Sequence, residues 1–545
     1  MPATVSRRSF FNLLKPVPST SGGLAKGRRN FSPLSDPLAP FVPGANTPWD
    51  EFRTGHLLRR TMMAPTWADI EALVALGDPG KAVDLLLSTT STPAVPAAGN
   101  DKTENPYPLA LPAQYPIFGQ WESDAAALRA WWANLQFTAS SSIQEKMTAF
   151  WSGHFTTQFD LGGMQYVIAP LLYRQNNLFR TFGNIPNGPQ NGPLGNFKDL
   201  VKSVTLDGAM LVYLGGNQNT AGAPNENYAR ELMELFTCGL GGGYTEADIH
   251  AAARILTGWR VMQYTDDPGL HGIFNPWFKS SDHDTGDKTY FETDFPAVGV
   301  GTNTEFNSQN EINRTIDVLF TNTADSTATF ICTKLYKFFV YSDPDTTTDS
   351  TEQSVIAAMA TLFQSGNWEI KPVVSALLKS EHFFDNLNIG CQIKTPAEYV
   401  IGMARQLAPA YAIDGNMTAI DEQFFQPPNV SGWPGYHDWI TTNTYPTRGT
   451  EASAAIQLMD DNAAIAFVEQ FPNYTDVNAL STAIGQLLLP RPLSSARATA
   501  FAQKLAGTTQ TYEWGSILSN SPTTAAANIR DLLNYIVSLP DFELC

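Results

Sequence analysis

The sequence predicts a mainly α protein, a large multi-helix fold with long Gly/Pro/Asn-rich loops and few strands. Three observations carry this. Apolar residues recur at helical spacing through most of the chain, strand signals are sparse, and helix start and stop residues frame the periodic stretches. The expected strand share is less than about a tenth, well under the usual fraction. A chain of 545 residues with 43% hydrophobic and 11% aromatic content can bury a large core.

Residues 1–48, rich in Pro, Ser and Gly, read as leader and linker. Ser6-Arg7-Arg8-Ser9-Phe10-Phe11 has the form of a twin-arginine export signal, which a receptor reads. The apolar patch after it is short, broken at Lys15-Pro16, so the signal is degenerate. Trp67 opens a helix and 81–87 forms another, before a Pro-rich connection over 91–120. Helices follow over 125–137, 142–155, 163–182 and 197–214, the last two separated by a Gly/Pro/Asn loop. The stretch 260–310 is rich in Gly, Asp and Thr and reads as a long loop or a small hairpin. Helices return over 311–339, 352–363, 370–378 and 397–407. The expected division is a main helical domain over 49–452 and a C-terminal segment over 453–545, with three or four helices packed on it.

Between these lies the most informative stretch, Pro224 to Gly239, with a proline-asparagine start and a glycine stop. Tyr228, Leu232, Leu235 and Phe236 make an apolar face. Asn227, Arg230, Glu231 and Glu234 make a polar one at i, i+3, i+4 and i+7. Such a stripe is either a buried hydrogen-bonded network or a catalytic site. The next helix opens with a Thr245–Asp248 capping box and carries Arg254, a candidate partner for Glu231 or Glu234.

Composition excludes some functions. Acidic residues number 52 against 34 basic, a net charge of −18, which argues against nucleic acid as partner. No apolar run of about 18 residues exists, so no transmembrane segment is expected. Cys238, Cys332, Cys391 and Cys545 form no C-x-x-C pair, which removes zinc-ribbon and thioredoxin readings and leaves one or two disulfides open. No H-E-x-x-H, G-x-S-x-G or P-loop spacing occurs.

The ordered motifs Glu145-Lys146-Met147 with Phe150-Trp151 and His154-Phe155, Asn225 to Glu231, Tyr244 to Asp248, Arg254 with Leu256-Thr257-Gly258-Trp259, His283-Asp284 with Lys288, and Pro427-Pro428-Asn429-Val430 with Gly432-Trp433-Pro434 resemble the bacterial family catalogued as domain of unknown function 1800. The resemblance runs from about residue 50 to the C-terminus. It implies an exported, mostly helical bacterial protein, periplasmic or extracellular, with a sulfatase-like partner protein. Family members often have His-Asn-His-Phe where this chain has Ser152-Gly153-His154-Phe155.

Two readings of the polar residues stand side by side. In the first, His154, His283 and Asp284 bind a divalent metal, with Asn227, Arg230, Glu231, Glu234, Arg254 and Lys288 as catalytic groups in one cleft. His283 then lies about 5 Å from Glu231 or Glu234, and the enzyme is hydrolytic or redox. In the second, the protein is a scaffold in a cell-envelope assembly, and the same residues are buried structural pairs. The aromatic loop from Pro427 to Trp439 can stack on a sugar, so glycan contact joins the expectations, or it can plug the core.

Overall fold

In the computed structural model the chain is described over residues 36–545 apart from 89, 94–95, 97–117, 163–164, 187, 262–274, 300, 348–349 and 408–411, together with 29 and 31. The Arg7-Arg8 motif, most of the Pro-rich connection and His271 lie outside the described residues. Helices make up 59% of the structure, with 22 α-helices among the described residues. The strands form three antiparallel two-stranded pairs. The mainly α prediction holds.

Local chemistry sets most boundaries. Two expected helices are each divided by a residue within a helix-friendly run. The first becomes Phe197–Thr205 and Gly208–Tyr213, because the Asp207 side chain accepts from the Met210 N–H and starts a new helix. The second becomes Glu305–Asn322 and Ala324–Phe339, divided at Thr323, where the backbone leaves helical geometry. The expected helix over 163–182 shortens to Ala169–Thr181, preceded by the strand pair Asp160–Gly162 and Gln165–Tyr166. The loop 260–310 contains the hairpin Lys288–Tyr290 with Thr293–Phe295.

One contiguous apolar core runs from Leu57 to Phe542. The boundary expected at 452/453 falls inside the helix Thr444–Gln457, which packs on Pro522–Val537. Beyond it lie five α-helices, one or two more than expected. All four cysteines are free thiols.

The central helix, Glu226–Glu234, is capped by Asn225, whose side chain accepts from the Asn227 and Tyr228 N–H groups. Its predicted apolar face is the buried one. Tyr228, Leu232 and Phe236 are within the core and Leu235 packs at its margin, each fully buried side chain contributing roughly 1.5–3 kcal/mol. This helix packs on Glu246–Ile255, which carries the expected Thr245–Asp248 capping box. Glu246–Ile255 packs in turn on the strand Lys288–Tyr290 and on the helix Glu305–Asn322. Those three elements surround the turn at Thr257.

Candidate functional site

The site grows from the end of the helix Glu246–Ile255. The chain leaves that helix through Thr257 and Gly258 into the strand Trp259–Arg260, which pairs with Trp277–Phe278. Gly258 has φ +92°, and a Cβ there would sit 2.8 Å from the Phe278 ring and 3.0 Å from the His283 Cβ. Only glycine lets the turn close so tightly over His283.

Thr257 then organises both sides. Its hydroxyl donates to the Arg254 carbonyl at 2.6 Å and accepts from the Asp284 N–H at 2.8 Å. Its carbonyl lies 2.9 Å from His283 Nδ1. A carbonyl only accepts, so Nδ1 carries the proton and the lone-pair position of a neutral ring is Nε2. Phe278 meets the imidazole edge-on at 5.2 Å.

The remaining polar groups form two pairs. Arg254 grips Asp284 in bidentate fashion at 2.7 and 3.0 Å, and the Gly286 N–H adds a third bond at 2.9 Å. Burial pushes the Asp284 carboxyl up, but Arg254, the Gly286 N–H and the Lys288 charge outweigh it and hold it below the usual range. Buried Lys288 places Nζ 2.9 Å from Glu311 Oε1. The other Glu311 oxygen, Oε2, is 3.2 Å from His283 Nε2 but accepts no aligned hydrogen bond among the described residues.

Glu311 and His283 stand on the wall of a pocket of about 230 Å³. Asn303, Asn307, Asn310 and Arg314 line it along one face that continues into the helix Glu305–Asn322. Arg314 donates to the Asp294 carbonyl at 3.0 Å and lies 4.3 Å over the Phe295 ring.

The structure brings together four of the sequence-derived candidates, Arg254, His283, Asp284 and Lys288, and separates them from the rest. Arg254 pairs with Asp284 rather than with Glu231 or Glu234, and the carboxylate beside His283 is Glu311 rather than either of those. Glu231 is buried. Glu234 accepts from Arg230 at 3.3 Å, and Arg230 also clamps Glu246 at 2.7 and 3.0 Å on the partly exposed flank. Asn227 is half-buried in the first turn of the central helix, its N–H taken by Asn225.

His154 belongs to a different neighbourhood. Its Nε2 lies 3.0 Å from the Phe236 carbonyl and its Nδ1 3.0 Å from Lys334 Nζ. Burial, then the Lys334 charge, lower its pKa well below the ordinary histidine value. Among the described residues no three His, Cys, Asp or Glu side chains converge as metal ligands. The donor set around His283 explains why: Arg254 takes Asp284 and Lys288 takes one oxygen of Glu311. The expected set of His154, His283 and Asp284 does not gather.

Sequence reasoning missed Glu311, Arg314 and the three asparagines. The signal was present, since positions 303, 307, 310, 311 and 314 share helical spacing. It was hidden because the helix was expected to start at 311 rather than 305.

The family model described as Protein of unknown function (DUF1800) matches residues 56–544, nearly the whole chain. Comparison with curated proteins and with solved structures gives no match. The motifs that meet at Thr257, and the ion pairs around them, are therefore those of a DUF1800 protein, and the chain belongs to that family.

Proposed function

We propose that the protein is an exported hydrolytic enzyme working by acid–base chemistry in the pocket beside His283. The observation that carries this is the facing of His283 Nε2 and Glu311 Oε2 at 3.2 Å on the pocket wall. With the Nδ1 proton held by the Thr257 carbonyl, a bare Nε2 would oppose a carboxylate oxygen. The pocket wall thus carries an imidazole lone-pair position and a carboxylate oxygen side by side, the two groups that acid–base chemistry uses. Lys288 orients the carboxylate, and Thr257 orients the imidazole. Acid–base chemistry is favoured over metal assistance because Arg254 holds both Asp284 oxygens and Lys288 one of Glu311, which leaves fewer than three ligand side chains converging beside His283 among the described residues. Asn310 lines the pocket with Asn303 and Asn307, whose Nδ2 atoms donate to the Ser280 and Thr302 carbonyls and whose remaining amide capacity suits hydroxyl groups, so the substrate is a small hydroxylated molecule such as a sugar unit.

A chromogenic panel of glycosides, esters, amides and phosphoesters tests the proposal with wild type, Glu311→Gln and His283→Ala. Hydrolysis of one class, lost by at least about a hundredfold in both variants while they remain folded, is the expected result. Turnover equal in wild type and Glu311→Gln, or none with any class, defeats it. Imidazole ¹⁵N spectra add a check, because a His283 with Nδ1 unprotonated contradicts the tautomer.

A second reading rests on a separate observation. Two motif residues serve as interior ties, Glu145 held by Arg180 at 2.7 and 2.9 Å and Lys146 paired with Glu398, and Arg448 meets Glu543 at 3.0 Å in the same manner. Such ties suit a scaffold in a cell-envelope assembly with a sulfatase-like partner. Co-purification of that partner, undiminished in Glu311→Gln, favours this reading when the panel shows no turnover.

A further inference from the structure

The pocket at His283 leaves His154 and its surroundings unused, and that cluster has the parts of a nucleophile and the acceptor that orients it. Lys334, on the helix Ala324–Phe339, places Nζ 3.0 Å from His154 Nδ1 and 3.4 Å from the Leu235 carbonyl. His154 Nε2 is 3.0 Å from the Phe236 carbonyl. Because a carbonyl only accepts, Nε2 carries the proton and the Nδ1 lone pair faces Lys334. Amine, imidazole acceptor and the carbonyl that orients the imidazole thus stand in line, an arrangement that fixes the amine's position.

The surroundings favour a neutral amine. Among the described residues no carboxylate lies within ion-pair distance of Lys334, although the chain is acidic overall. Burial, and then the charge of Lys337, lower its pKa to about 8. Phe150, Phe155 and Phe236 pack around His154; the Phe330 ring, 4.7 Å from Nζ, attracts the ammonium, so the lowering comes from burial and the Lys337 charge alone. His154 is buried, and the access to this pair is at Lys334, which is half-buried.

We propose that Lys334 is a carbonyl-reactive amine, held by a hydrogen bond to the His154 lone pair, that condenses with a small apolar aldehyde to form a Schiff base. The ammonium loses one proton to solvent. The freed amine attacks the carbonyl carbon, forming the C–N bond, and the carbonyl oxygen takes up a proton from nitrogen. Solvent returns one proton to the hydroxyl, the C–O bond breaks, and water leaves as C=N forms. One ammonium and one aldehyde give one protonated imine and one water, with no oxidant or reductant required. The aromatic surroundings select an apolar carbonyl over an anionic one.

The test uses the full chain with propanal and cyanoborohydride, which reduces the imine to a stable propyl amine, and reads each lysine by peptide mass spectrometry. At pH 7.5 Lys334 should be alkylated at least about tenfold faster than the exposed Lys337 on the same helix. Its rate–pH curve should turn near pH 8, the value given by burial. His154→Gln should slow Lys334 by about tenfold or more and leave Lys337 unchanged. A Lys334 no faster than Lys337, or a midpoint near the ordinary lysine value of about 10.4, overturns the proposal. If His154→Gln does not fold, the wild-type comparison of Lys334 with Lys337 and the midpoint decide it alone.

Discussion

Replacing Lys288 by Met examines the site where fold and chemistry meet. The ammonium is buried and 2.9 Å from Glu311 Oε1, whose side chain is 11% exposed. At that separation the bare attraction is about 6 kcal/mol for an effective dielectric near 20. Desolvation of the ammonium offsets part of it, but truncation leaves Glu311 behind as a buried charge without its main partner. The expected cost is therefore about 3–5 kcal/mol. His283 on the other oxygen compensates only weakly, because its approach is not an aligned hydrogen bond. In Lys288→Met/Glu311→Gln the stranded charge is gone, so at least about 2 kcal/mol should return as coupling between the two sites. Denaturant midpoints of the cooperative transition, followed by near-ultraviolet circular dichroism for the four members of the cycle, give the coupling. A single substitution costing under about 1 kcal/mol, or a double whose cost is the plain sum, refutes the argument that the pair is electrostatically committed.

Three further outcomes follow from the same structure. Because burial and Lys334 depress the His154 pKa, the unfolded chain binds a proton there first; stability from this group is complete above about pH 6.5 and falls with acidification by up to about 1.4 kcal/mol per pH unit, so His154→Phe should flatten the thermal midpoint between pH 5 and 6.5, and an unchanged slope counts against a neutral buried imidazole. Gly258→Ala forces a Cβ into Phe278 and His283 at φ +92° and should cost about 1–3 kcal/mol while shifting the His283 imidazole resonances; a silent substitution would show the turn to be slack. Replacing Arg7 and Arg8 by Lys should leave the protein in the cytoplasm if the leader is read by the twin-arginine receptor, as fractionation of the native host would reveal.

Legibility in the sequence followed the range of the forces involved. The faces of Glu226–Glu234 were readable because burial follows the 3.6-residue period, and Tyr228, Leu232 and Phe236 are indeed buried. The capping box at Thr245 and Asp248 was readable because both partners lie within four residues. The breaks at Asp207 and Thr323 were not, since each residue is tolerated inside a helix and becomes a boundary only where tertiary packing turns the chain. Pairing was least legible. Arg254, His283, Asp284 and Lys288 were all singled out as chemistry-bearing residues. Spacing along a helix suggested Glu231 or Glu234 as their partners, however, whereas the partner carboxylates arrive from elsewhere, Asp284 from the loop and Glu311 from a helix expected to begin at Glu311 itself.

The distribution of satisfied atoms around Thr257 separates architecture from chemistry. The Thr257 hydroxyl is used three times, both oxygens of Asp284 are held by Arg254, and Glu311 Oε1 is held by Lys288. These bonds connect the end of one helix to a loop, a hairpin strand and a second helix, and a network that fully engaged is what a stable interior requires. A buried carboxylate oxygen without an aligned donor is different in kind, because it carries a desolvation penalty with no bond to offset it. Within this network the exception is Glu311 Oε2, and it occurs where the network meets the pocket and His283. Interior ties elsewhere also leave an atom without an aligned partner, Arg180 Nη1 and Arg448 Nε among them, so the orphaned oxygen alone does not mark a site. What sets Glu311 Oε2 apart is its place on a pocket wall beside an imidazole whose other nitrogen is fixed.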